Sequence, residues 1–426
     1  MDSNRSGRRR FLKHGAALAA FAAGAKRSAS GQSTGADVQL KDAQPKDVHI
    51  HGEPSHFATA PGSGRGVRMR IDHMTYYTPL QDSRGIITPA ALHFMQQHSS
   101  RLPDIDPQQH RLTIHGMVDR PLSFTLEELK RLPSVSRIYF LECHGNGSSM
   151  LHSADDPKMG LPVQYIHGMT SCSEWTGVPL SVLLNEAGVQ KGASWLVSEG
   201  ADEGKFSHTL PLAKAMDDVM VAYAQNGEPV RPEQGYPLRL VVPGWEGPSS
   251  VKWLRHIKVV DQPYMTWNES MNHSIPRPDL GGKSRWYHFE MAQKSVITRP
   301  SGGLKLPGPG FYEITGLAWS GGGAIRRVEV STDGGRSWKE AKLQTPVLPK
   351  AHTRFTLDWT WDGEEAVLQS RCTDERGEVQ PSLAELNKNW GITDASAQKT
   401  SRAIHINAIQ PWRVDRDGSV HDAMFS

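Results

Sequence analysis

The pattern of apolar and polar positions divides the chain into two parts of different character. From about residue 88 to 258, near-continuous apolar runs are mixed with helical patterns. The runs "RIYFLEC" (137–143) and "PLRLVVPG" (237–244) are typical of buried strands, and "RLTIHGMV" (111–118) also predicts a strand. This mixture predicts an α/β region.

Two segments of the same part predict amphipathic helices. In "SFTLEELKRLP" (123–133), Ser123 is the candidate N-cap and Pro133 lies beyond the end of the helix. The segment "VPLSVLLNEAGV" (178–189) predicts a second helix, which Gly188 ends.

After the Pro/Gly-rich break "TRPSGGLKLPGPG" (298–310), the segments "FYEITGLAWS", "IRRVEVST" and "TRFTLDWTWD" alternate apolar and polar residues. The turns "GGGA" (321–324) and "DGGRSW" (333–338) separate the alternating segments and are typical of hairpins. No helical period occurs between them, so residues 305 to 380 predict an immunoglobulin-like β-sandwich. The predicted fold is therefore α+β, with one mixed domain over residues 65–291 and a sandwich domain with a C-terminal tail over 292–426.

The N-terminal segment predicts export. The stretch "RRRFLK" (8–13) matches the twin-arginine signal, and the apolar stretch that follows it (15–25) is too short to span a bilayer. We therefore predict a twin-arginine signal peptide over residues 1–30 and a periplasmic protein without a membrane span; a basic disordered tail is the alternative. Residues 31–64 predict an extended arm, whose His49, His51 and His56 either share a metal or are solvated.

Charge and cysteine content narrow the function. With 48 Lys and Arg against 45 Asp and Glu, the charge is too balanced to indicate a nucleic-acid partner. The three cysteines are Cys143, Cys172 and Cys372, so at least one thiol stays unpaired in an oxidising compartment. The chain contains no C-x-x-C-H haem motif and no C-x-x-C pair, so metal chemistry would depend on a single thiolate. Cys143 stands between a strand and a glycine-rich turn, where it is either a small buried hydrophobe or a functional thiol.

Several motifs together resemble the sulfite oxidase family of molybdopterin enzymes. The family's E-C-x-G-N motif is present at 142–146, its G-[YF]-P-[LV]-R-[LV]-V-V-P-G run at 235–244, and V-K-W-L at 251–254. The segment "STDGGRSW" (331–338) resembles part of the family's C-terminal dimerisation domain. The resemblance covers roughly residues 65–415, and within the family it is strongest to the molybdenum subunits of Sox-type sulfane (sulfite) dehydrogenases.

The resemblance implies a molybdenum–molybdopterin cofactor with Cys143 as the thiolate ligand of the metal. It implies that Trp175 lies beside the substrate pocket, with core packing as the alternative. It also implies a homodimer through the sandwich and a separate c-type cytochrome, which would carry the haem. The residues that it assigns to cofactor binding, besides Cys143, are His98, Gly145, Asn146, Arg239, Ser250 and Lys252.

Two departures from the family pattern bear on the substrate. Gln96 stands where the family usually has an arginine that holds sulfite, and Gly147-Ser148 stands where sulfite oxidases carry another arginine. Each lost charge-assisted contact is worth about 1.5–3 kcal/mol. We therefore expect a less charged or bulkier substrate than sulfite, such as sulfane sulfur on a carrier protein. A sulfoxide reductase of the same family and an inactive binding or scaffold protein are the alternatives.

Overall fold

A computed structural model describes residues 68–72, 74–150, 160–276, 285–391 and 405–424. The predicted signal peptide and the arm with His49, His51 and His56 lie outside these residues. No helix in the described part of the chain is long and apolar enough to cross a bilayer.

The part of the chain before residue 290 is built on two five-stranded sheets. Its strands are β1 (Met69–Arg70), β2 (Tyr76–Tyr77), β3 (Leu112–Gly116), β4 (Leu122–Phe124), β5 (Val135–Glu142), β6 (Thr170–Pro179), β7 (Trp195–Gly200), β8 (Ser207–Pro211), β9 (Met220–Gln225), β10 (Glu228–Pro229), β11 (Arg239–Val241), β12 (Leu254–Val260), β13 (Ile275–Pro276) and β14 (Arg285–Trp286). Its α-helices are α1 (Leu126–Lys130), α2 (Val163–His167), α3 (Leu180–Ala187), α4 (Leu212–Asp217) and α5 (Trp267–Met271). One sheet has the order β10-β9-β6-β5 with β11 also paired to β9, and the other has the order β4-β3-β12-β7-β8.

The rest of the described chain forms two further sheets and one α-helix. Its strands are β15 (Lys294–Arg299), β16 (Gly310–Trp319), β17 (Ile325–Ser331), β18 (Lys339–Glu340), β19 (Lys342–Leu343), β20 (Thr353–Trp361), β21 (Ala366–Asp374), β22 (Trp412–Val414) and β23 (Val420–Asp422), and its helix is α6 (Leu383–Trp390). The sheet orders are β15-β16-β20-β19 and β18-β17-β21-β22-β23. Two antiparallel sheets over one core form the predicted sandwich.

The predicted strands and helices are present, but two local predictions were wrong. Ser123 does not cap α1, because it lies in β4 opposite Thr113. The cap is Thr125, whose hydroxyl accepts a hydrogen bond from the Glu128 amide while the Glu128 carboxylate accepts one from the Thr125 amide. The helix therefore starts two residues later than the sequence suggested.

The second wrong prediction concerns the turn "GGGA". The hairpin predicted at "DGGRSW" is present and joins β17 to β18. The turn at 321–324, in contrast, joins β16 of one sheet to β17 of the other. Glycine-rich turns reverse the chain in either setting, so turn chemistry alone does not show whether the two flanking strands share a sheet.

The two parts of the chain share a core. One apolar cluster combines Phe140 of β5 and Cys172 of β6 with sandwich residues such as Trp319 and Phe355. Because β5 leads directly to Cys143, the sandwich packs against the strand that carries the candidate ligand.

Candidate active site

Cys143 follows β5 directly and begins a tight turn. Its amide donates a hydrogen bond to the Met169 carbonyl at 2.9 Å, and its own carbonyl accepts one from the Asn146 amide at 2.9 Å. Gly147 closes the turn at φ +97°, a conformation that L residues with a side chain rarely adopt. Cys143 is half-buried as a residue, whereas Cys172 and Cys372 are fully buried.

A second turn, which contains Gly247, approaches the backbone of Cys143. A Cβ atom on Gly247 would lie 2.7 Å from the Glu142 carbonyl oxygen and 3.3 Å from the Cys143 Cα atom. A side chain at position 247 would therefore push the two turns apart. Glycine in this Gly/Pro loop lets both turns border one cleft.

The cleft between these turns contains about 690 Å³ of empty space, part of which is open to solvent. It brings together six residues that the sequence singled out: Gln96, His98, Cys143, Arg239, Ser250 and Lys252. These residues come from four separate segments, which the fold places around one cavity.

Arg239 is a buried cation without an acidic partner among the described residues. Its guanidinium donates hydrogen bonds to the carbonyl oxygens of Gln234 at 2.9 Å and Ser250 at 3.0 Å. It also lies over the indole ring of Trp175, 4.9 Å from the ring centroid. Burial lowers the pKa of Arg239 to about 9, which shows how poorly the protein alone compensates this charge.

Lys252 is a second cation at the same cleft. Its ammonium group donates hydrogen bonds to the carbonyl oxygens of Gln96 at 3.0 Å and Glu233 at 3.1 Å. Burial, with the nearby charge of Arg239, lowers the pKa of Lys252 to about 7. No carboxylate in the described part of the chain forms an ion pair with Lys252, so an anion entering the cleft would relieve both cations.

The cleft also contains polar groups that sequence reasoning missed. His93 is buried, and burial followed by the nearby cations lowers its pKa to about 3, so the ring is neutral. Its Nδ1 lies 3.0 Å from the Phe94 carbonyl oxygen, which leaves Nε2 as an acceptor without a partner. Gln97 likewise has a buried side-chain oxygen without a hydrogen-bond partner in the described protein. Both residues lie in the same segment as His98, and this proximity in the sequence was the only indication that they belong to the site.

Not every predicted residue lies in the cleft. Trp175 is fully buried in a core cluster with Phe94 and Leu141, which both line the cleft, and it is not itself among the lining residues. Its place beside the substrate therefore stays a prediction, with core packing as the alternative. Asn146 is also fully buried: its side-chain nitrogen donates to Glu142 and its oxygen accepts from the Met169 amide. Its side chain therefore fixes the cysteine turn. A Cβ atom on Gly145 would lie 3.9 Å from the end of the Met169 side chain, an ordinary van der Waals distance.

Gln96 contributes a neutral side chain to the cleft, as the sequence indicated. Arg101, the nearest arginine that follows it in the chain, is solvent-exposed and is not among the residues that line the cavity. The fixed positive charges of the described cleft are therefore those of Arg239 and Lys252.

These features fit an anionic organic cofactor that brings a metal. Two cations without acidic partners suit phosphate oxygens, the unpartnered atoms of His93 and Gln97 suit a polar ring system, and the Cys143 thiol suits a soft metal. Burial raises the pKa of the Cys143 thiol to about 11, and coordination by a metal would deprotonate it.

Comparison with known proteins agrees with this interpretation. The family model of the oxidoreductase molybdopterin binding domain matches residues 99–268, and that of the Mo-co oxidoreductase dimerisation domain matches residues 285–397. Fold and site together define a molybdopterin-binding oxidoreductase with a dimerisation domain.

The similarity to solved structures is more specific. A chain in the crystal structure of the sulfane dehydrogenase SoxCD from Paracoccus pantotrophus is 39% identical, with a TM-score of 0.81. The match covers 91% of this chain and 96% of that chain. The protein belongs to the sulfite oxidase family, and the resemblance to Sox-type sulfane dehydrogenases is confirmed.

Curated relatives in the same family include much longer enzymes. Nitrate reductase [NADH] of Ulva prolifera is 32% identical over 338 residues, and that of Solanum lycopersicum is 31% identical over 334 residues. Each match covers 70% of this chain but only 38% and 36%, respectively, of the relative. The chain thus spans less than two fifths of these relatives.

Proposed function

We propose that this protein is a periplasmic molybdenum enzyme that oxidises sulfite or carrier-bound sulfane sulfur and passes the electrons to a c-type cytochrome. The observation that carries the proposal is the cleft in which the Cys143 thiol, Arg239 and Lys252 meet. Similarity to a sulfane dehydrogenase supports the sulfur substrate, and the twin-arginine motif supports export. The dimerisation domain supports a homodimer.

The bound cofactor would supply oxygen-atom transfer and two-electron chemistry at its metal. The protein's own residues have separate tasks. Cys143 holds the metal through its thiolate. Arg239 and Lys252 neutralise the anionic end of the cofactor, and neutral His93 offers an acceptor nitrogen.

The neutral side chain of Gln96 bears on the identity of the substrate. A cleft without a further fixed cation binds a dianion such as free sulfite weakly, since each charge-assisted contact contributes about 1.5–3 kcal/mol. Sulfur attached to a carrier protein needs fewer charged contacts in the cleft, because the carrier supplies binding energy elsewhere.

The test is sulfite-dependent reduction of cytochrome c by purified protein whose molybdenum content has been verified. We expect weak turnover of free sulfite by the native protein. Gln96→Arg should lower the KM for sulfite about tenfold to a hundredfold, by restoring one charge-assisted contact. Cys143→Ala is the control without the thiolate and should show no turnover.

Each other outcome removes part of the proposal. Efficient turnover at micromolar sulfite, or an unchanged KM in Gln96→Arg, would contradict the substrate argument. Faster reduction of nitrate or of a sulfoxide than oxidation of any sulfur compound would replace the proposed reaction. A folded protein that contains no molybdenum, produced in a host that makes the cofactor, would favour a scaffold role.

A further inference from the structure

A fully buried ion pair connects the sandwich to the cysteine turn. Lys294, the first residue of β15, places its ammonium nitrogen 3.0 Å from a carboxylate oxygen of Glu142, the last residue of β5. Both side chains are 0% exposed. Glu142 immediately precedes Cys143, so the ion pair acts one residue from the candidate metal ligand.

Further contacts from β15 and β16 of the sandwich hold the cysteine turn at both ends. Trp319 of β16 donates its indole N–H to the second carboxylate oxygen of Glu142 at 2.6 Å. Lys294 also donates to the backbone carbonyl of Asn146 at 3.1 Å, and the Asn146 side chain donates to Glu142 at 2.8 Å. The residue before Cys143 and the third residue after it are therefore fixed to each other and to two sandwich side chains.

We call the contacts of Lys294 and Trp319 with Glu142 and Asn146 the clamp. The sequence of the turn explains why the turn needs it. Gly145 and Gly147 lower the stiffness of the turn, because glycine restricts the backbone less than any other residue. Gly147 is also required by the clamp: a Cβ atom there would lie 3.1 Å from the Lys294 ammonium nitrogen and 3.1 Å from the Ile406 carbonyl oxygen. Gly147 thus makes room for the Lys294 ammonium group, and because it also makes the turn more flexible, the turn depends on the contact with Lys294.

Burying an ion pair gives up the hydration of both charges, and apolar side chains of similar volume often stabilise a core as well or better. Glu142, Lys294, Asn146 and Trp319 are connected by hydrogen bonds of suitable length, and Trp319 is itself part of the apolar core. A satisfied network of this kind specifies one geometry more strictly than apolar contacts do.

We propose that Lys294 and Trp319 are positioning residues for Cys143, so that the sandwich domain, besides any role in dimerisation, sets the position of the metal-binding thiolate. The inference rests on the proposed role of Cys143 but is independent of the substrate. Neither residue is among those that line the cleft: Lys294 acts through Glu142 and Asn146, and Trp319 acts through Glu142.

Thiol labelling of the cofactor-free, full-length protein tests the proposal without any activity. Cys172 and Cys372 are fully buried, so a maleimide reagent reacts with native protein at Cys143, which peptide mass spectrometry verifies. Lys294→Met should raise the labelling rate of Cys143 at least about fivefold, because the turn opens more often. In the molybdenum-loaded enzyme, the same variant should shift the visible absorption of the metal–thiolate bond.

Lys350→Met is the matched control. Lys350 also reaches from the sandwich part of the chain to a carboxylate, that of Asp218, but its side chain does not touch the cysteine turn. Labelling of Cys143 in this variant should match the native rate. If Lys294→Met does not fold, Trp319→Phe decides, since it removes the indole donor to Glu142 while an aromatic ring stays in the core, and it should raise the rate in the same direction.

Folded Lys294→Met or Trp319→Phe protein with the native labelling rate and the native absorption would overturn the proposal. If the labelling rate changes but the native enzyme oxidises no sulfur compound, the positioning role of Lys294 and Trp319 stands and the proposed substrate is refuted. The two hypotheses therefore fail on different measurements.

Discussion

The clamp and the cleft contain buried cations in opposite situations. Lys294 faces a carboxylate at 3.0 Å and donates to the carbonyl of Asn146, so its charge is compensated within the protein. Arg239 and Lys252 donate to backbone carbonyls only, among the described residues. Both kinds of cation lie close to the cysteine turn, yet only the cleft cations lack an acidic partner.

This difference separates a cation that stabilises the fold from cations that are available to bind a ligand. A compensated ion pair is complete in the protein alone, and removing one partner leaves the other charge uncompensated. An uncompensated cation is incomplete until an anion arrives, so removing it affects the ligand more than the fold. Matched lysine-to-methionine substitutions at positions 294 and 252 turn this distinction into measurements.

The largest expected effect is on the stability of Lys294→Met. Removing the ammonium group leaves Glu142 as a buried charge with only hydrogen-bond partners, which should lower the free energy of unfolding by about 3–5 kcal/mol. Urea denaturation of the cofactor-free protein measures this loss. The double variant Glu142→Leu/Lys294→Met should recover part of it, because no uncompensated charge remains. Native stability in the single variant would show that the ion pair is not what holds these strands.

The matched variant Lys252→Met should behave in the reverse way. In cofactor-free protein the lost hydrogen bonds and the relieved charge largely offset each other, so stability should change by less than about 1 kcal/mol. Retention of molybdenum should fall about tenfold to a hundredfold, the effect of one charge-assisted contact. Metal analysis after gel filtration measures the retention.

The comparison fails if the two lysines behave alike. Equal losses of stability in Lys252→Met and Lys294→Met would mean that both cations are structural. Unchanged molybdenum content in Lys252→Met would mean that the cofactor does not depend on the cation that the cleft provides.

Local motifs made the cleft largely predictable from the sequence. Cys143, Arg239 and Lys252 each stand in a short contiguous motif, and the structure places all three at one cavity. What the motifs could not show is which motif residues face the cleft. Asn146 and Trp175 belong to equally informative segments, but their side chains are fully buried behind it.

The clamp, in contrast, could not be predicted from the sequence. Lys294 and Glu142 are 152 residues apart, and Trp319 is 177 residues from Glu142. A lysine at the start of a strand normally indicates a solvated position, since lysine is almost never fully buried unless it is paired. Its pairing follows from how the sandwich packs against β5, which is a property of the tertiary structure.

The last expected effect is a pH dependence that belongs to the cleft cation alone. The folded, cofactor-free protein holds the pKa of Lys252 near 7, below the ordinary value of 10.5 for a lysine side chain. Between these two values the unfolded chain binds a proton at Lys252 that the folded protein releases. Stability of the cofactor-free protein should therefore rise as the pH increases from about 7 towards 10.5, because the unfolded state binds more protons in this window. Below pH 7 both states are protonated, and this dependence vanishes.

The difference between native protein and Lys252→Met isolates this contribution from other groups that titrate in the same window, such as the Cys143 thiol. Melting temperatures measured from pH 6.5 to 10 should rise more steeply in the native protein than in the variant. Binding of an anionic cofactor would return the pKa of Lys252 towards its ordinary value, so the extra slope should disappear in the molybdenum-loaded enzyme. An identical slope in native and variant cofactor-free protein would show that Lys252 is already compensated, and the contrast with Lys294 would then rest on Arg239 alone.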